Sequence, residues 1–232
     1  MSDTIDNVKG SIVGVGTYLP TRRPPAKLLG TGFVIADGKH VVTNNHVINV
    51  DLDVENRERL VVFAGQGAKL DMLTASLFRK DLQHDLAILS VSKKLPAMSL
   101  SGDGLVREGE VLAFTGFPIG AVLGLYPVTH RGMISSITPI AIPAPSSRQL
   151  DAIKIKRLRA PTMIYQLDAT AYPGNSGSPL YHPETGVVVG VLNMVHVKTT
   201  KEDVLSKPSG ISYAIPVKHL RALLQELETP KQ

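Results

Sequence analysis

Apolar positions along the chain gather into short β-branched runs: SIVGVGTYL, TGFVIAD, HVVTNNHVI, RLVVFAG and DLAILSV in the first half, then EVLAFTGF, GMISSIT, MIYQLDA, GVVVGVLNMV and ISYAIPV in the second. Glycine, proline and polar clusters separate these runs, a pattern that predicts an all-β sandwich or barrel protein. Only VKHLRALLQELE changes period. Val217, Leu220, Leu224 and Leu227 recur at spacings of three and four, which predicts one terminal helix over about 217–228. About half the strands precede residues 93–109 and half follow, so this segment is the expected connection between two β units, 1–105 and 106–232. Two long loops are expected at 20–30 and 138–161, the second because Pro139, Pro143, Pro145 and Pro161 interrupt strand pairing.

Composition narrows the class. The 232 residues are 43% hydrophobic, enough for one large domain or two small ones, and no run approaches the length of a membrane span. The opening MSDTIDNVKG is polar and mixed in charge, unlike a signal peptide, so a cytoplasmic location is expected if the chain is full length and a periplasmic or secreted one if it is processed. With no cysteine there is no disulfide framework, thiolate metal site or cysteine nucleophile. A net charge of +5 raises nucleic-acid binding, but aromatics are only 5% and the basic residues are dispersed, so solvated basic loops are expected and no nucleic-acid partner is.

Candidate chemistry begins at YPGNSGSPL, residues 172–180. Such a run of small residues forms a surface turn in many proteins. It can also aim the backbone N–H groups of Gly174, Asn175 and Ser176 at one spot beside the Ser176 hydroxyl, as an oxyanion hole with an attached nucleophile requires. A serine hydroxyl needs a base. Among seven histidines, His46 in VVTNNHVI sits where a strand gives way to polar residues, a place from which an imidazole can project into a cleft; an ordinary half-buried histidine satisfied by backbone is the plain alternative. Asp85 in HDLAILSV precedes an apolar strand, so a buried carboxylate there wants a donor such as an imidazole N–H, or else nearby backbone. Asp81 competes, in the more polar setting RKDLQH. The order His46, Asp85, Ser176 is that of chymotrypsin-fold hydrolases and not of α/β-hydrolases, in which the serine comes first within G-x-S-x-G.

With these residues in place the chain resembles the trypsin-like serine peptidases, in particular the bacterial HtrA/Deg branch. The resemblance rests on GTGFVIADGKHVVTNNHVI, DLAIL, GEVLAFTGFPIG, HRGMISSI, QLDATAYPGNSGSPL and SGISYAIPV. It implies a chymotrypsin-like double β-barrel, with His46 and Asp85 from the first barrel and Ser176 from the second acting as a catalytic triad, and an oxyanion hole made by the N–H groups of Gly174 and Ser176. It further implies a serine endopeptidase without metal or cofactor, acting on protein or peptide substrates, with homo-oligomerisation left open; a catalytically weak peptide-binding module on the same fold is the alternative. Thr170 resembles the floor of the S1 pocket and carries no charge. With Ala171 and Ile211 beside it, small or medium apolar P1 side chains are expected. The strand ending near Asn193 should pair with the substrate backbone, and Tyr213 lies on the facing strand. Residues 198–210 are expected to form either a loop that gates or positions substrate or a solvated hairpin turn without function. HtrA proteases carry PDZ domains after the terminal helix, and a chain ending at Gln232 leaves no room for one unless it is a fragment. Ser178 stands where the family more often has glycine.

Overall fold

The computed structural model describes residues 1–67, 69–118, 125–140, 162–193 and 210–225. Strands β1 (Ile12–Tyr18), β2 (Ala26–Ile35), β3 (His40–Asn44), β4 (Arg59–Gln66), β5 (Lys69–Asp81) and β6 (Leu86–Val91) close into a barrel in the order β1-β2-β3-β6-β5-β4. Strands β7 (Val111–Gly116), β8 (Val128–Ile140), β9 (Thr162–Leu167), β10 (Pro179–Tyr181), β11 (Val188–Asn193) and β12 (Ser212–Pro216) close a second, whose order β7-β8-β9-β12-β11-β10 repeats the first. All of these ladders are antiparallel. Full closure removes exposed sheet edges.

Ten runs predict ten strands, and the structure adds two. In β5 most side chains face solvent, so the strand carries little apolar alternation and is held by backbone pairing to β4 and β6. In β10 three residues suffice, because β7 and β11 flank them on both sides. Helices also exceed expectation. Besides α3 (Val217–Gln225), there is α1 (Ser2–Lys9), whose Thr4 and Val8 turn inward one helical turn apart, with Thr4 Oγ1 donating to the Glu184 carbonyl at 3.1 Å. A single turn, α2 (Asn45–Ile48), follows β3. Among the described residues no helix is long and apolar enough to cross a membrane.

The core has three parts. One fills the first barrel around Val13, Val34, Val41, Val62 and Leu89, and one fills the second around Leu112, Phe114, Tyr165, Leu167 and Leu192. The third lies between them, where Ile12, Phe33 and Leu86 of the first barrel meet Phe117, Tyr181 and Leu220 of the second. Each such fully buried side chain contributes roughly 1.5–3 kcal/mol. The connection from β6 to β7 is stitched to both barrels: Met98 donates its N–H to the Val34 carbonyl (2.8 Å) and Ser101 donates to Val188 (2.8 Å). Residues 141–161 and 198–209, which hold most of the two loops singled out in the second half of the sequence, lie outside the described residues.

Candidate active site

Register builds the first half of the site. Pairing of β3 with β6 sets Asn44 opposite Leu86, so the residues just after β3 meet the residue just before β6. Asn45 N–H and Asn44 Nδ2 both donate to the Asp85 carbonyl, each at 3.1 Å. Val47 is buried and anchors α2 in the first core, which leaves the neighbouring His46 side chain 37% exposed. Asp85 adopts φ +54°, a left-handed backbone uncommon for a residue other than glycine but tolerated best by Asp and Asn. This conformation lets its carboxylate face back toward His46.

Both carboxylate oxygens are occupied. Oδ1 accepts the His46 backbone N–H at 2.8 Å, and Oδ2 lies 2.6 Å from His46 Nδ1. An ionised carboxylate only accepts, so Nδ1 carries the hydrogen and Nε2 keeps its lone pair. Oδ2 also accepts Asn193 Nδ2 at 3.0 Å, across the barrels. Asp81 is engaged elsewhere: it accepts the backbone N–H groups of Gln83 (2.8 Å) and His84 (3.1 Å) and pairs with His84 Nδ1. The backbone hydrogen bonds close the turn that delivers Asp85.

Ser176 sits in the loop leading into β10, only 7% exposed. Asn175 donates its N–H to the Tyr172 carbonyl (3.0 Å) and Ser178 donates to Asn175 (3.0 Å), so the Asn175 N–H closes a turn rather than facing a ligand. Gly174 has φ +103° and Gly177 φ +87°. A Cβ at Gly177 would lie 2.1 Å from the Thr31 carbonyl and 2.5 Å from Thr43 Oγ1, so glycine is needed there for close docking on the first barrel. Thr31 completes that docking. Its N–H donates to the Ser176 carbonyl (2.9 Å) and its Oγ1 to the Gly174 carbonyl (2.6 Å), while the same Oγ1 accepts the Phe117 N–H (3.0 Å). Among the described residues neither the Gly174 nor the Ser176 N–H is spent on a hydrogen bond, and none joins Ser176 Oγ to His46.

The expected pocket residues are spread more widely. Asn193 pairs with Tyr213 in the β11–β12 ladder, but its side chain turns to Asp85, a role the sequence reading missed. A polar residue closing the apolar run VVVGVLN was the available signal. Thr170 is half-buried, Ala171 packs into the second barrel's core and Ile211 is 47% exposed. Ser178 is fully buried, next to the space that a Cβ on Gly116 would fill. Among the described residues no group of three or more His, Asp or Glu side chains is placed to hold a metal ion.

Comparison with known proteins finds relatives over most of this chain. Serine protease HTRA1A of Danio rerio is 28% identical over 97% of this chain, and a probable periplasmic serine endoprotease, DegP-like, of Pseudomonas fluorescens is 29% identical over 90%. The chain spans only 41% and 37% of the length of these relatives. The solved serine endoprotease from Yersinia pestis superposes with a TM-score of 0.67 at 22% identity, covering 97% of this chain and 65% of that one, a likeness of fold. Residues 30–191 match the family described as the trypsin-like peptidase domain, and with that match over most of its length the chain belongs to this family.

Proposed function

We propose that the protein is a serine endopeptidase. The observation that carries this reading is the His46–Asp85 pair, in which a carboxylate gripped from three sides fixes the imidazole so that Nε2 is the free base. Ser176 Oγ attacks the scissile carbonyl as its proton passes to His46 Nε2. Asp85 stays ionised and stabilises the imidazolium. Negative charge develops on the carbonyl oxygen, where the N–H groups of Gly174 and Ser176 receive it. Collapse expels the amine, which takes the proton from His46, and leaves an ester on Ser176. A water, deprotonated by the same nitrogen, then attacks the ester; as the second tetrahedral intermediate collapses, the His46 imidazolium returns that proton to Ser176 Oγ and the acid is released. The residues 1–105 act as the base-bearing domain and 106–232 as the nucleophile-bearing one.

An uncharged, half-buried Thr170 supports preference for small or medium apolar P1 side chains over Lys or Arg. Relatives named as periplasmic favour an exported setting over a cytoplasmic one. One observation favours the second reading, a catalytically weak peptide-binding module: no hydrogen bond joins Ser176 to His46 among the described residues. Such contacts often tighten only when substrate arrives, so the enzyme reading stands. A fluorophosphonate probe decides between them. Labelling at Ser176 that disappears in Ser176→Ala, with peptide-library turnover lost on the order of 10⁶-fold, is expected; an unlabelled, folded wild-type protein would establish the binding module instead. The same library reads P1 preference, and dominant cleavage after Lys or Arg would overturn the pocket assignment.

A further inference from the structure

Beside the site lies a pair of imidazoles that the mechanism does not use. His84, in the turn between β5 and β6, stacks on His219 of α3, with ring centroids 3.9 Å apart and planes inclined by 22°. The contact joins the helix that ends the second barrel to the turn of the first whose next residue is Asp85. We propose that this stack is a pH-responsive latch: it docks α3 onto the Asp85 turn while His219 is neutral, and uptake of a proton by His219 releases it.

The latch follows from which charges the site can satisfy. His84 has a counter-ion, since its Nδ1 faces Asp81 Oδ2. Among the described residues His219 has none: its Nε2 is buried without a hydrogen-bond partner. On the helix itself Lys218 adds positive charge nearby, and Arg221 is committed to Asp103 at 2.8 Å. On the turn, Asp81 already accepts from His84 and two backbone N–H groups, and the Asp85 carboxylate is spent on His46 and Asn193. A proton on His219 would therefore place a buried cation against a ring that carries positive charge whenever His84 is protonated. Burial, then the charges of His84 and Lys218, hold His219 down to about 4, with Asp81 opposing only in part. A freed helix takes up this proton near the ordinary value of 6.5, so docking is at full strength above that pH and weakens as pH falls from 6.5 toward 4.

Hydrogen exchange of the helix amides, read by mass spectrometry on peptides covering residues 217–225, tests this without reference to catalysis. Corrected for intrinsic exchange rates, protection of α3 should fall about tenfold between pH 7.5 and pH 5 in the wild-type protein, the sign and rough size that linkage gives for a partly exposed group. The variant His219→Phe keeps a ring for the stack and has no proton to gain, so its protection should stay level over the same range. Unchanged wild-type protection across that range would overturn the latch, as would a loss in His219→Phe equal to that in the wild type. The wild-type measurement is decisive even if the variant does not fold.

Discussion

The two barrels share one strand order but fix their parts of the site differently. His46 and Asp85 flank adjacent strands of the first barrel, just after β3 and just before β6, and are tied by hydrogen bonds within it, from Asn44, Asn45 and the His46 backbone. Ser176 and Gly174 of the second barrel have their carbonyls held by Thr31, which lies on β2 of the first. The proposed base and acid are thus held mainly within one barrel, with Asn193 added from the other, whereas the position of the proposed nucleophile is a property of the docked pair. Changes to the first arrangement should act on chemistry alone. Changes to the second should move stability and chemistry together.

Asp85→Asn gives the sharpest case of chemistry alone. Asparagine tolerates the left-handed backbone, but its amide cannot hold the Nδ1–H tautomer, so kcat should fall by roughly 10⁴ while the melting temperature barely changes. Gly177→Ala tests the docked loop. Its Cβ has no room against Thr31 and Thr43, so we expect a loss of about 2–4 kcal/mol in stability together with a fall in kcat of about 10², read by calorimetry and single-turnover kinetics. A drop in kcat with an unchanged melting temperature would break the contrast between the barrels.

Asn193→Ala removes a second-barrel hydrogen bond to Asp85; kcat should fall about tenfold with KM nearly constant, the cost of a hydrogen bond to a charged group. The smallest effect concerns the first barrel far from the site. Hydrogen bonds from Thr17, from the Asp53 N–H and from Arg22 hold the Glu58 carboxyl at about 2. Its folded value lies below the ordinary 4.5, so the stability it adds is present above that pH and fades as pH falls toward 2. Glu58→Gln should flatten this acid limb in denaturant titrations and leave activity at neutral pH unchanged.

What could be read from the residues follows the range of the forces involved. The serine loop announced itself because a tight turn needs glycine and proline locally, and His46 and Asp85 stood out through their places at strand ends. Strand β5 was hidden, since its solvent-facing side chains carry no apolar signal and its pairing is made by backbone. Helix α1 was hidden for a similar reason, with only two inward residues. The role of Thr31 toward Gly174 and of Asn193 toward Asp85 joins residues 143 and 108 positions apart, and neither side chain type reveals its partner. The left-handed Asp85 had no glycine to mark it.

The connection between β6 and β7, hydrogen-bonded at Met98 and Ser101 to one barrel and then the other, also has a meaning for how the protein is made. A chain leaving the ribosome delivers all six strands of the first barrel, with His46 and Asp85 included, before any of the second. Thr31 then waits on a finished surface for a loop synthesised much later. Until β10 and β11 have emerged and closed against it, the nascent chain holds the His46–Asp85 pair without the serine loop that the proposed mechanism joins to it.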